Sequence, residues 1–225
     1  METEVLELAM PTNKDDRYEN LLEHLQLKNY NLGQIIRSNS QIHLLHLKGN
    51  RVFSANLNYL YDRTNLHKPE LVNGRSKWAN NWSYEEDWSL TIRKDQDTTG
   101  NEVIKINDLV NLIHITTKMS VYVDSFKKSQ DGNQSHVSLR LFQDDLIGFQ
   151  WYVNLVYSPY NDENLRSGTI IKFVSAEGPL HSITDTNFFS RQDIFVNSKI
   201  SIDEEEKSPE NEDDYWVVIE RKEKD

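Results

Sequence analysis

Two hydrophobic periods divide the chain. Between residues 14 and 30 (KDDRYENLLEHLQLKNY) the apolar positions keep helical spacing, with Leu21, Leu22 and Leu25 on one stripe. Asp15 or Asp16 can cap this segment and Asn31-Leu32-Gly33 can end it, which predicts a helix over about 14–30 inside an amino-terminal arm, 1–35. From about residue 40 the period shortens. Runs of β-branched and aromatic residues alternate with clusters of Gly, Asn, Asp and Ser: IHLLHL, RVFSA, DWSLTI, LVNLIHI, SVYV, HVSLRLF, FQWYVNLVY, TIIKFV, DIFV and YWVVIE. Short strands with turn signals between them predict an all-β body, a sandwich or a barrel.

An internal repeat narrows the choice. Three Trp-centred strands start at Trp88, Trp151 and Trp216, 63 and 65 residues apart. Each follows an alternating opener: Ile42-His-Leu44-Leu-His46, Val110-Asn-Leu112-Ile-His114 and Ile171-Lys-Phe173-Val-Ser175, with steps of 68 and 61. Between opener and Trp lie Val52-Phe53-Ser54-Ala55, Tyr122-Val123-Asp124-Ser125 and Pro179-Leu180-His181-Ser182. Gln134 and Gln192 head a further stretch in the last two units. Four strands in each of three units make twelve, and no unit can bury its apolar face alone. Closure about a pseudo-threefold axis gives a β-trefoil over 36–221, with repeats at about 36–98, 103–157 and 166–221. Evenly placed Trp residues in an unrelated sandwich are the alternative.

Composition then removes function classes. Lys and Arg number 25 against 36 Asp and Glu, a net charge of −11, so the cationic footprint for nucleic acid or an anionic membrane is missing. Residues 203–214 (DEEEKSPENEDD) carry eight of the acids, which reads as a solvated loop or as an interaction segment. With zero Cys, disulfides, thiolate metal sites and Cys nucleophiles are excluded. No run approaches the ~18 apolar residues of a membrane span. The acidic start lacks the features of a signal peptide, so the expectation is a cytosolic chain or a piece of a larger protein. Two sequons, at Asn81 and Asn133, are weak signs of a lumenal life.

The three units resemble divergent MIR repeats, which open on a Val/Leu-His strand, pass through a Leu-rich stretch ending in Ser-His and a Gln-Gln-x-Val stretch, and close on Asn-Asp-x-Trp-x-Val. The third unit matches best, through Gly168-Thr-Ile-Ile171, Leu180-His181-Ser182, Gln192-Asp-Ile-Phe195 and Asp213-Asp214-Tyr-Trp216. The second keeps His114, Ser125, Gln134, Val137 and Trp151. The first keeps His46 and Trp88 and has an enlarged middle, Asn58 to Trp82. The resemblance spans about residues 36–221 and implies a relation to the lumenal module of protein O-mannosyltransferases or to small lumenal proteins of the same repeat. It implies an accessory, non-catalytic module in the endoplasmic reticulum that recognises glycan or acceptor polypeptide through Leu180, His181, Ser182, Gln192, Ser125 and Gln134. The family's closing His is absent at Asn56, Phe126 and Ile183, which favours a second expectation: a protein-binding trefoil with decayed sugar pockets, in the cytoplasm. The carboxyl-terminal Arg221-Lys-Glu-Lys-Asp225 is not a retention signal.

Catalytic patterns are missing. There is no Gly-rich phosphate loop, G-x-S-x-G elbow or H-E-x-x-H. His43 and His46, three apart on a strand, face opposite ways and cannot chelate together. Glu85-Glu86-Asp87 and Asp144-Asp145 read as turn and surface charge. Tyr59, Tyr61, Trp78 and Trp82 read as an aromatic insertion that staples a loop or stacks on a ligand. No cofactor, metal, nucleic-acid partner or direct membrane contact is expected.

Overall fold

Twelve strands form in chain order: β1 (Ile42–His46), β2 (Arg51–Asn56), β3 (Glu70–Ser76), β4 (Trp88–Ile92), β5 (Leu109–His114), β6 (Met119–Lys128), β7 (Gln134–Leu141), β8 (Trp151–Tyr157), β9 (Ile170–Ser175), β10 (Gly178–Ser182), β11 (Gln192–Asn197) and β12 (Trp216–Glu220). The structure is a computed structural model that describes residues 18–19, 30–47, 51–56, 70–76, 87–92, 101–128, 134–141, 147–182, 192–197 and 212–220. Most of the helix expected at 14–30 lies outside these residues, although Tyr18 and Glu19 are helical.

Six strands close on themselves, every pair antiparallel: β1 with β4, β4 with β5, β5 with β8, β8 with β9, β9 with β12, and β12 with β1. Closure leaves no free edge in this ring, the usual hazard of a lone sheet. The other six strands form the hairpins β2–β3, β6–β7 and β10–β11, which extend from β1, β5 and β9 at one end of the barrel. Strand β11 pairs with both β3 and β7 and so joins the hairpins across that end. Each hairpin except the third carries a register shift. Gly74 is the extra residue opposite Val52 and Phe53, and Ser125, Phe126 and Lys127 stand out of the ladder between Asp124 and Lys128.

The opposite end closes through three equivalent turns. The Ile104 N–H donates to the Ile36 carbonyl (3.1 Å), Leu165 N–H to Ile104 (2.8 Å) and Ile36 N–H to Leu165 (2.9 Å). All three side chains are buried. Three residues further on, Asn39, Asn107 and Gly168 take positive φ of 69°, 69° and 95°. Their N–H groups donate to the carbonyls of Leu90, Val153 and Val218 at 2.9, 2.8 and 2.8 Å. Asn and Gly stand there because other side chains are strained in the left-handed region. These turns repeat with the same steps of 68 and 61 residues as the openers.

Inside the barrel, alternation sends Ile42 and Leu44, Val110 and Leu112, and Ile171 and Phe173 inward with the three Trp residues. The outer side of β1 and β12 is also apolar. Leu45, Val217 and Ile219 pack there with Ile170, Tyr215 and Tyr18 from the arm. Tyr18 is 1% exposed and its ring sits 5.1 Å from that of Tyr157. The arm thus covers the seam where the third repeat meets the first.

Equivalent turns predict equivalent energetics. Asn39→Ala, Asn107→Ala and Gly168→Ala should each lower stability by about 1–2 kcal/mol, while Asn39→Gly and Asn107→Gly should cost far less. Urea midpoints at constant slope measure this, and a large cost at only one turn would break the equivalence. Tyr18→Ala should cost about 3 kcal/mol, because it empties a closed aromatic site on the barrel wall.

Candidate recognition sites at the hairpin end

Each buried indole fastens a hairpin to the barrel. Trp88 Nε1–H donates to the Phe53 carbonyl (2.9 Å), Trp151 to Val121 (3.3 Å) and Trp216 to Leu180 (3.1 Å). These bonds place Phe53, Val121 and Leu180 at one equivalent position. Ala55, Val123 and Ser182 then correspond, and so do Ser54, Tyr122 and His181. The sequence comparison had set Ser125 against Ser182. The structure shifts the second repeat by two residues, and Ser125 falls in the bulge that follows, half-buried beside the exposed Phe126.

The openers end in a second threefold set. His46 packs on Trp216 and His114 on Trp88, each with ring centres 5.0 Å apart. Ser175 takes this place in the third repeat and donates through Oγ to the Gly178 carbonyl (3.0 Å). His46 Nε2 lies 3.0 Å from the Asp213 carbonyl and His114 Nδ1 3.0 Å from Thr117 Oγ. These imidazoles are hydrogen-bonded strand residues. His43 faces away from His46 and pairs through Nε2 with Asp87 Oδ1 at 2.8 Å. Among the described residues no cluster of three His, Asp or Glu is placed to hold a metal ion.

The third repeat differs from the second one residue beyond the indole acceptor. His181 Nδ1 lies 2.7 Å from Asp214 Oδ1, and Asp214 comes from the 3-10 turn Glu212–Asp214, two residues before Trp216. The side chains are 10% and 1% exposed. An ionised carboxylate only accepts, so Nδ1 carries the hydrogen, and in the neutral form of the ring this tautomer leaves the lone pair on Nε2. That atom has no protein partner among the described residues and is not shut off from solvent. In the second repeat, Tyr122 and Phe149 hold the matching positions, and Phe149 comes from the equivalent turn Ile147–Phe149. Their rings stand 4.8 Å apart, so an aromatic contact replaces the His–Asp pair.

The six residues expected from sequence are placed unequally. Leu180 and Ser182 are fully buried, and Leu180 is part of the core beneath Trp216. His181 is buried, its side chain 10% exposed, and Gln134 is half-buried at the start of β7. Gln134 stands opposite Asn197 of β11, and Gln192, at the start of β11, stands opposite Asn73 of β3. Asn73 and Val196 face the equivalent residues Phe53 and Leu180, and Val196 stands opposite Ser135, so Gln192 corresponds to Ser135 and the two Gln positions are one residue out of step. Sequons Asn81 and Asn133, the acidic residues 203–211, and Tyr59, Tyr61, Trp78 and Trp82 lie outside the described residues.

The sequence reading missed a cationic set at the far end. Arg37, Lys105 and Arg166 occupy one position of the three closing turns, again with steps of 68 and 61. Each is already engaged: Arg37 with the Asn101 carbonyl (3.0 Å), Lys105 with Glu163, and Arg166 with Asp162 and the Gly33 carbonyl (2.8 Å). The Arg166 hydrogen bond is the main force holding the Asp162 carboxyl below its ordinary range, and the same bond raises Arg166. The Glu163 hydrogen bond likewise raises Lys105. Burial pushes the Tyr160 hydroxyl up, against the Arg166 charge.

No family model matches the chain, and no curated protein matches its sequence. Solved structures share its fold. The crystal structure of the SDF2-like protein from Arabidopsis thaliana matches with a TM-score of 0.58 at 14% identity, over 82% of this chain and 94% of that one. A Caenorhabditis elegans protein with unknown function matches with a TM-score of 0.60 at 12% identity, over 84% of this chain and 97% of that one. The protein O-mannosyltransferase Pmt1-Pmt2 complex of S. cerevisiae, bound to the sugar donor, matches with a TM-score of 0.62 at 15% identity, over 86% of this chain but 26% of that one. The likeness is one of architecture: an all-β, closed six-stranded barrel with added hairpins.

Two measurements follow from this geometry. Asp214→Ala and His181→Ala should each cost about 3 kcal/mol, since each strands a partner in a nearly closed site. The double variant should cost clearly less than the sum, and strict additivity would show that the pair is not coupled. Asp162 titrates below its ordinary value in the folded state, so its contribution is complete above that value and is lost as pH falls through the lowered one. Asp162→Asn should therefore lower the neutral plateau slightly and flatten the acid limb, so that the variant and wild-type stability–pH curves converge at low pH.

Proposed function

We propose that the chain is a β-trefoil of three MIR-like repeats that recognises a glycan or an acceptor polypeptide and carries out no chemistry of its own. The closed barrel, the threefold set of hairpins and the architectural likeness to the SDF2-like protein and the Pmt1-Pmt2 complex support the fold half of this reading. One observation carries the functional half. At the hairpin end of the third repeat, His181 Nε2 has no partner among the described residues while buried Asp214 fixes the ring from behind. A held lone pair accepts a hydrogen bond from a hydroxyl without paying the ordering entropy of a free side chain.

One imidazole gives a weak site. Such a site is useful when a tether or a second contact raises its effective concentration. This suits an accessory module beside a glycosyl-transferring centre in the endoplasmic reticulum lumen. Among the described residues no helix is long and apolar enough to cross a membrane, so membrane attachment would come from elsewhere or from a partner. The burial of Leu180 and Ser182 favours a second reading, a protein-binding trefoil in the cytoplasm with reduced sugar pockets and the acids of 203–214 as its contact.

The test is a nitrogen-15 chemical-shift titration of the full chain with methyl α-mannoside and with a Ser/Thr-rich acceptor peptide. Shifts around His181 and Asp214 are expected, at millimolar affinity for the sugar. His181→Asn should abolish them, because Asn keeps an N–H for Asp214 and lacks the distal lone pair. If neither ligand shifts these residues, the recognition reading falls. Pull-down of a partner that depends on the acids of 203–214 would then establish the second reading.

A further inference from the structure

We infer that the outer face of the second repeat is a docking surface for a polypeptide segment that presents a carboxylate beside an aliphatic side chain. In this repeat Phe126, Leu141, Ile147, Tyr152 and Leu155 are large apolar side chains left exposed. The seam between the third and first repeats is covered instead by the arm through Tyr18.

The polar anchor of this face is Arg140. Its guanidinium carbon lies 4.1 Å from the Tyr122 ring centre, and Nη2 donates to Asp124 Oδ2 at 2.6 Å. Asp124 is 9% exposed and Arg140 36%, so the carboxylate lies inside and the guanidinium outside. The remaining N–H groups of Arg140 have no protein partner among the described residues. A stacked, tethered guanidinium has lost little freedom left to lose, and its planar donor edge matches a carboxylate.

The apolar element is Ile147, 64% exposed at the start of the 3-10 turn. The turn is held against the same Tyr122. A Cβ on Gly148 would lie 2.6 Å from that ring and 2.6 Å from the Val123 carbonyl, so only glycine permits the approach. Tyr122 therefore holds a cation over its ring and, against it, the turn that carries an exposed aliphatic group, and interface centres combine Arg with apolar anchors in this way. The chain as a whole carries −11, whereas Lys118 to Leu141 holds four Lys and Arg against two Asp, so this hairpin carries a local positive excess.

The experiment uses the full chain and a fluorescein-labelled peptide of alternating Leu and Glu, with its Leu-Gln counterpart as control, read by anisotropy. The Leu-Glu peptide should bind, with affinity that falls with added salt, and the Leu-Gln peptide should bind at least about tenfold more weakly. Arg140→Lys and Ile147→Ser should each weaken Leu-Glu binding severalfold or more, and Ile147→Ser, at an exposed site, should keep the wild-type melting temperature. His181→Asn should leave this binding unchanged, which separates the surface from the third-repeat site. Absence of binding, equal binding of the Leu-Gln peptide, or indifference to both variants overturns the proposal. So does the finding that a second copy of the chain or an anionic vesicle, rather than the peptide, is what Arg140 and Ile147 hold.

Discussion

An indole N–H cannot be left unbonded in a dry core, and three of them set the terms for this molecule. Trp88, Trp151 and Trp216 are fully buried, each worth about 4–5 kcal/mol of apolar burial as an upper estimate. Each must also find an acceptor inside, and each finds a carbonyl on the first strand of its own hairpin. The hydrophobic requirement fills the barrel and the polar one ties down its cap. Phe53 joins the two. Its ring lies 4.4 Å from Trp88 and 5.5 Å from Trp216, so neighbouring repeats share one aromatic cluster.

Around that framework the repeats are free to differ where the backbone does not need them. The closing turns keep a left-handed residue and a cyclic set of hydrogen bonds in all three. The residue after the indole acceptor has no such duty. It is His181 in the third repeat, facing Asp214, and Tyr122 in the second, facing Phe149. Its partner in both cases stands two residues before the Trp, so the two positions changed together. A polar pair in one repeat and an aromatic contact beneath a cation in the other are two fillings of one geometric slot.

The barrel end was legible because its constraints are local. The openers, the Trp strands and their steps of 68 and 61 residues are visible without coordinates. The same steps mark Ile36-Arg37-Ser38-Asn39-Ser40 against Ile104-Lys-Ile-Asn-Asp108 and Leu165-Arg-Ser-Gly-Thr169, a signal present in the sequence and not used. The hairpin end was less legible. Bulges at Gly74 and at Ser125 to Lys127 break the alternation, so β3 gives no clean strand pattern and Ser125 slides out of the equivalence assigned to it.

The sequence by itself determined the class and the count: an all-β chain, strands in three sets of four, one Trp per set, and a strongly acidic surface with no thiol chemistry. Periodicity carries this information because inward and outward positions alternate along any strand, whatever its neighbours are. Only the tertiary structure decided which residue corresponds to which. It buried Leu180 and Ser182, left the His181 side chain 10% exposed with Asp214 behind it, and set Arg140 and the turn that carries Ile147 against Tyr122. Those outcomes join residues 7 to 33 positions apart, across bulges and 3-10 turns that shift the register. A short motif holds no record of such shifts, because the packing of the whole cap determines them.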